Sequence, residues 1–238
     1  MILTVAFAND RVMNDSYRRL FYTSFDEVWL WDNHYPGADA KRIANRYHFK
    51  YFSLGENIGL YEAHNKMLDV LPHYVDKVIM YDSDNYPMMH DWDVALKEVI
   101  GGDVVHSTLS NPVSNREMEE RGYTSKVING LRCKIPHQVC TNTTCAFSVE
   151  FLRECGGLIG GKKYYGGNEI AMKGFYKGKH WVFLEDFFED SRHLKPYHDW
   201  QYEQYKLLYA HRDLGMSYEE YLKTDPERND NLAKQIFG

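Results

Sequence analysis

The chain contains no apolar run approaching the roughly 18 residues needed to cross a bilayer, so no membrane span is expected. No basic stretch precedes its first apolar segment, Met1-Ile-Leu-Thr-Val-Ala-Phe-Ala8, which reads as a first strand and not a signal peptide. Cysteine is scarce. Cys133, Cys140, Cys145 and Cys155 have neither CxxC spacing nor the density of a disulfide framework, which predicts reduced thiols in a cytoplasmic protein. Neither GxxxxGK[ST] nor GxGxxG occurs, so the two common phosphate-cradling fingerprints are excluded. Internal repeats and low-complexity tracts are missing as well. What remains is an ordinary globular composition, 44% hydrophobic and 26% charged over 238 residues, enough for one large domain or two small ones.

Charge of one sign is scarce only locally. Residues 126–179 hold nine Lys and Arg against three Glu, a local +6, which leaves −12 for the rest of a chain whose net charge is −6. Such asymmetry marks either a solvated basic surface or a side that meets an anionic partner.

The stretch that organises the rest is Lys77-Val-Ile-Met-Tyr-Asp-Ser-Asp-Asn-Tyr-Pro87. Residues 78–81 are an apolar run of buried-strand length, stopped by Asp82-Ser83-Asp84 and by Pro87. Asp and Asn are ordinary turn residues. Two carboxylates one residue apart at a strand end also suit Mg²⁺ or Mn²⁺, hard cations that bind a few protein oxygens plus substrate phosphates.

The preceding segments alternate. Strands are expected over 2–8, 27–31 and 51–54, with helices over about 17–24 (capped within Asn14-Asp15-Ser16), over 39–47 behind Asp39, and from 60 onward. In the last of these, Leu60, Ala63, Met67, Leu68 and Leu71 hold one apolar face, while Asn57, Tyr61 and Asn65 form a separate polar line. Strand–helix alternation predicts a largely parallel sheet with helices on both faces. Ligands then sit at the carboxyl ends of the strands, where Asn9-Asp10, Asp32-Asn33 and Asp82-Ser83-Asp84 all fall. Further on, a helix is expected over 92–99, strands over 104–107, 145–149 and 181–184, and a short helix over 150–154. Residues 111–136 lack periodicity and read as a functional loop or lid. Six glycines between 156 and 167 give backbone freedom and close approach.

Taken in order, these pieces resemble family-2 glycosyltransferases of the GT-A fold over residues 1–194. The resemblance rests on Phe7-Ala8-Asn9, Asp32-Asn33, Asn57-Ile58-Gly59 with Ala63 and Asn65, and Asp82-Ser83-Asp84-Asn85-Tyr86-Pro87. It continues through Phe147…Phe151-Leu-Arg-Glu-Cys-Gly156-Gly157, Gly167-Asn168-Glu169 and His193. It implies an α/β GT-A fold with a Rossmann-like, mostly parallel central sheet and flanking helices. Residues 1–107 would be the nucleotide-sugar half, 108–194 the acceptor and catalytic half, and 195–238 a helical extension. The implied activity is metal-dependent, inverting sugar transfer from a nucleoside-diphosphate sugar, UDP favoured, to an acceptor hydroxyl. Asp32 would read the base, and Asp82 would contact the ribose or a metal-bound water. Ala8, Asn9, Asn57, Gly59, Asn65 and Ser83 would line the same pocket. Asp84 and His193, with His198 a competitor for the latter role, would hold Mn²⁺ or Mg²⁺. Glu169 would be the general base, in a segment where Asn168 replaces the family's usual acidic neighbour.

No Gln-x-x-Arg-Trp motif follows, which argues against a processive synthase. The acceptor stays open between a glycan, a lipid, a protein and a hydroxymethylated pyrimidine in DNA, the last prompted by the basic, tyrosine-bearing 126–179 segment. A nucleotidyltransferase and a catalytically decayed sugar-nucleotide-binding module are the competing readings. The first is disfavoured by the missing glycines after strand one, while Asn168 keeps the second open.

Overall fold

A computed structural model of the protein describes residues 1–138, 140, 144–158, 174, 177–190 and 194. Glu169, His193, His198 and the expected helical extension over 195–238 lie outside the described residues. Among those described, nine strands form one sheet. In chain order the elements are β1 (Ile2–Ala6), α1 (Asp10–Thr23), β2 (Val28–Asp32), α2 (Ala40–Tyr47), β3 (Lys50–Ser53), α3 (Leu60–Asp69), β4 (Lys77–Asp82) and α4 (Trp92–Glu98). They continue with β5 (Val104–Ser110), α5 (Pro112–Arg121), β6 (Tyr123–Ile128), β7 (Leu131–Pro136), β8 (Cys145–Ser148), α6 (Val149–Glu154) and β9 (His180–Phe188).

The strand order is β3-β2-β1-β4-β8-β5-β9-β7-β6. From β3 to β4 every pairing is parallel, as the strand–helix alternation requires. Beyond β4 the sheet is mixed: β8 runs antiparallel to both β4 and β5, β9 is parallel to β5, and β7 and β6 close that edge as an antiparallel hairpin. One sheet runs through both expected halves, and residue 107 lies inside β5.

Both faces of β1, β2 and β4 are covered, which is why these strands read as largely apolar runs instead of alternating ones. Ile2, Leu30, Ile79 and Tyr81 pack on one side with Val12, Met13, Tyr17 and Leu20 of α1, Ile43 of α2, and Trp92 and Leu96 of α4. Their neighbours Leu3, Trp29, Trp31, Val78 and Met80 pack on the other, against Ala63 and Met67 of α3 and Phe151 and Leu152 of α6.

Two expectations need correction. Residues 111–136 are not a structureless lid but α5 and the β6–β7 hairpin. Asn111 caps α5, accepting hydrogen bonds from the Val113 and Ser114 N–H groups, and Pro112 occupies its first turn. Only Ser114, Glu117 and Met118 are buried, so this helix writes no apolar stripe. The hairpin turns at Asn129-Gly130, both with positive φ (50° and 83°), the geometry that favours an Asn-Gly pair. β6 is largely exposed, so no alternation marks it. The second correction concerns α1, which begins at Asp10 and not near 17, because Asn9 accepts from the Val12 N–H and serves as the cap.

The two-sided core makes a sharp contrast testable. Leu30→Ala, in the buried centre of β2, should cost about 2–5 kcal/mol. Phe25→Ser, at a side chain 77% exposed, should stay within about 0.5 kcal/mol. Urea unfolding midpoints of the two variants measure the difference.

Candidate functional site

Parallel pairing fixes the site before any side chain is considered. Ala6 lies beside Asp32 of β2, and Val5 lies beside Asp82 of β4. Three carboxyl ends therefore open on one edge of the sheet, with β1 between the two aspartates. At the usual strand spacing the backbones carrying them are about 10 Å apart.

On the β2 side, Asp32 is buried, and each of its oxygens already accepts one bond. Oδ2 takes the Tyr51 hydroxyl at 2.7 Å and Oδ1 the His34 N–H at 2.8 Å. Burial, then the Asp32 bond, raises the Tyr51 pKa. Each carboxylate oxygen keeps a second lone pair, so Asp32 is oriented without being used up. The loop ahead of α3 is folded onto the same end: Asn33 Oδ1 accepts from the Ile58 N–H at 3.1 Å, and Asn57 Oδ1 accepts from the Gly59 N–H at 3.0 Å. Asn57 Nδ2 is buried with no hydrogen-bond partner among the described residues, a donor left over for a ligand.

On the β4 side, the Asp82 carbonyl accepts the Asn85 N–H at 3.0 Å and closes a turn that presents Asp82 and Asp84, both half-buried. Ser83 is buried, and its hydroxyl accepts the Phe7 N–H at 3.2 Å, tying the loop after β1 to the turn. Hard carboxylate oxygens suit Mg²⁺ or Mn²⁺, whose remaining positions substrate phosphates and water can fill. Among the described residues no three acidic, His or Cys side chains are grouped closely enough to hold a metal unaided.

The expected site residues thus divide. Asp32, Asn57, Gly59, Asp82, Ser83 and Asp84 share the carboxyl edge. Ala8 is buried in the core and Asn9 caps α1, so both shape the loop after β1. Asn65 sits differently: its Oδ1 accepts the Leu158 N–H at 2.9 Å and its Nδ2 donates to the Leu158 carbonyl at 2.6 Å. This clamp explains Gly157. Its φ is +81°, and a Cβ there would stand 2.8 Å from Asn65 Oδ1. Gly157, in the pair that follows α6, therefore serves α3.

A buried polar network behind the turn escaped the sequence reading. The Ser16 and Tyr81 hydroxyls both donate to the Asn85 carbonyl at 2.8 Å, and Asn85 Nδ2 donates to Thr144 Oγ1 at 2.7 Å. The Thr144 N–H donates to Glu189 Oε1 at 3.3 Å. Glu189 is 2% exposed, and burial pushes its carboxyl up to about 8, with the charges of Asp82 and Asp84 acting in the same direction. The sequence showed Glu189 only as one of four acids in an undifferentiated run. Asp186, by contrast, is exposed and pairs with Arg132.

The basic segment is less basic in space than in sequence. Arg132 pairs with Glu185 and Asp186, Lys134 with Glu119, Lys177 with Glu154, and Lys179 with Asp103. Lys162 and Lys163 lie outside the described residues.

No protein-family model matches the chain, and no curated protein matches it by sequence. Solved structures do match. The mannosyltransferase PcManGT from Pyrobaculum calidifontis, solved with GDP-Man and Mn²⁺, superposes with a TM-score of 0.62 at 13% identity, covering 99% of this chain and 68% of that one. TarS 1-349 of S. aureus gives 0.58 at 14% identity, over 79% of this chain and 58% of that one. GalNAc-T7 with UDP, GalNAc and Mn²⁺ gives 0.59 at 13% identity, over 79% and 42%. The match covers 58% of TarS 1-349 in that structure and 76% in another solved with UDP, and less than half of GalNAc-T7. Nine strands in this order, with acids on the carboxyl edge and helices on both faces, give the chain the GT-A fold.

Proposed function

We propose that the protein is a metal-dependent glycosyltransferase that moves a sugar from a nucleoside-diphosphate sugar to an acceptor hydroxyl, with inversion. The observation that carries this reading is the shared edge of Asp32, Asn57 and Asp82-Ser83-Asp84 in a GT-A sheet. Structures of PcManGT with GDP-Man and Mn²⁺ and of TarS 1-349 with UDP-GlcNAc support it. Asp32, held by Tyr51 and the His34 N–H, accepts from the base, and the Asn57 amide donates to the bound nucleotide sugar. Asp82 meets the ribose or a metal-bound water. Asp84, with His193 from beyond the described residues, holds Mn²⁺ or Mg²⁺. A bound divalent cation neutralises the negative charge gathering on the departing diphosphate. Glu169 takes the acceptor proton, a role that rests on sequence resemblance. UDP is the favoured nucleotide.

Local structure weighs against the competing readings. A nucleotidyltransferase wants a glycine-rich phosphate loop after β1, but only residues 7–9 separate β1 from α1, and none is glycine. For the acceptor, the ion pairs of Arg132, Lys134, Lys177 and Lys179 draw down the field that a DNA reading needs. The hydroxyl of a glycan, a lipid or a protein is the reading retained. A decayed module that binds donor without turning it over is separated by experiment.

Two outcomes are expected once a donor is found by thermal shift with Mn²⁺ against uridine, guanosine and thymidine diphosphate sugars. Asp84→Ala should abolish Mn²⁺-dependent donor turnover at an unchanged Tm, and Asp84→Asn should be nearly as damaging, because an amide cannot offset the cation's charge. Wild-type turnover by Asp84→Ala sinks the metal reading. Glu169→Gln should lower transfer by about 10²–10⁴-fold with little change in donor affinity, the usual share of general-base catalysis. Equal loss of donor binding would move Glu169 out of the base role and into the donor pocket.

A further inference from the structure

The network behind the Asp82-Ser83-Asp84 turn contains one group that packing alone does not explain. Glu189 has its backbone position fixed on three sides by main-chain bonds. Its own N–H donates to the Ser110 carbonyl at 2.9 Å, the Asp190 N–H to the Tyr86 carbonyl at 3.0 Å, and the Met88 N–H to the Phe188 carbonyl at 3.0 Å. A bridge pairs Glu189 with Pro87, so the chain just after the aspartate turn is already stitched to the end of β9. The fold therefore does not need the carboxyl for this connection.

The carboxyl nevertheless enters the interior. Oε1 accepts the Thr144 N–H, while Oε2 is buried without a hydrogen-bond partner among the described residues. A buried polar group left without a partner costs about 1–3 kcal/mol, whether it accepts or, protonated, donates, and a network built for stability alone gains nothing from it. Its neighbourhood adds to that cost, since Asp82 and Asp84 are near enough for their charges to act on it.

Thr144 is the relay. Its carbonyl is held by the Leu109 N–H at 3.2 Å and the Thr108 hydroxyl at 2.9 Å, so it is anchored to β5. Its Oγ1 takes the Asn85 amide, and the Asn85 N–H closes the turn on the Asp82 carbonyl. A rigid chain of contacts thus runs from Glu189 through Thr144 and Asn85 to the loop that carries Asp82 and Asp84.

We propose that Glu189 is a positioning residue for the aspartate turn: acting through Thr144 and Asn85, its carboxyl holds Asp82 and Asp84 in the arrangement that takes a divalent cation. This rests on the glycosyltransferase reading of the turn, and it adds a residue to which neither the sequence nor the resemblance gives a role. Groups that orient metal-binding carboxylates typically change metal affinity by about 10–100-fold when removed.

The test measures Mn²⁺ binding by electron paramagnetic resonance, with Mn²⁺ alone, with UDP and with GDP, at temperatures well below each variant's Tm. Glu189→Ala should raise the Mn²⁺ dissociation constant by about 10–100-fold. Glu189→Gln keeps an acceptor for the Thr144 N–H and should bind close to wild type. Thr144→Val keeps volume and backbone N–H but cuts the link to Asn85, so it should match Glu189→Ala. The double variant should be no worse than either single one, as expected of two residues on one path. Wild-type affinity in Glu189→Ala overturns the proposal, and so does an additive double variant. Equal loss in Glu189→Gln also overturns it, because charge and not hold would then matter. If Glu189→Ala does not fold, wild-type affinity in Thr144→Val is sufficient to overturn it. A wild-type protein that takes up no Mn²⁺ in any of the three conditions refutes the metal reading itself, a result distinct from undisturbed binding in the variants.

Discussion

Parallel pairing of β1 with both β2 and β4 is the constraint on which the rest depends. Parallel neighbours cannot be joined by a hairpin, so each connection must cross back over the sheet through a helix. Those crossovers place α1 and α2 on one face and α3 on the other, which buries both faces. Burial on both faces in turn makes β1, β2 and β4 largely apolar, with Thr4 the buried polar exception, and their charged residues stand at the ends. Asp32 and the Asp82-Ser83-Asp84 turn stand at the carboxyl edge, where a carboxylate escapes the cost of burying an unpaired charge between two covered faces.

The opposite half of the sheet solves a different problem. β8 enters antiparallel between β4 and β5, so the chain that follows β5 returns beside the strand carrying the aspartates. This return brings Thr144 behind the turn and sets Leu158 beneath Asn65. Both contacts join residues far apart in sequence; the Asn85–Thr144 bond is buried and the Asn65–Leu158 pair partly so. Losing one partner strands the other without water, a costlier event than the small net gain from forming the bond. The site is therefore braced from the half of the chain that supplies none of its aspartates.

The legible part of the protein was the part written in apolar runs and caps. Val78 to Tyr81 announced β4, and Asp39 announced α2, because burial and capping leave marks on neighbouring residues. α5 and the β6–β7 hairpin were illegible for the converse reason, since both are largely exposed and neither carries a stripe. Their signals were single residues, Asn111 before Pro112 and the Asn129-Gly130 turn. Within the site, a residue's direction was harder to read than its place in the chain. Asn65 belonged to a polar line on α3, yet its amide is spent on the Leu158 backbone. Glu189 looked like Asp186, one acid among four, until β9 turned one inward and the other outward. An alternating strand separates such neighbours by face, but only the sheet's partners decide which face is dry.

The same limit governs charge. Counting residues 126–179 gives a basic segment, yet the ion pairs made by Arg132, Lys134 and Lys179 reach acids outside it that the count leaves out, while Lys177 pairs with Glu154 inside it. Pairs as exposed as Lys177–Glu154 contribute about 0–1 kcal/mol to stability, so they are not there to hold the fold. Their effect on the field is larger than their effect on stability. Where these four cations stand, a polyanion would meet neighbouring charges of both signs and gain less from counterion release, while Lys162, Lys163 and Lys173 lie outside the described residues. On the proposed reading an acceptor presenting one neutral hydroxyl would lose nothing beside such pairs, and the attraction the site needs would lie at the carboxyl edge. There Asp32, Asp82 and Asp84 gather negative charge, so on the proposed reading a diphosphate would be accepted only together with a cation that Asp84 would help to hold.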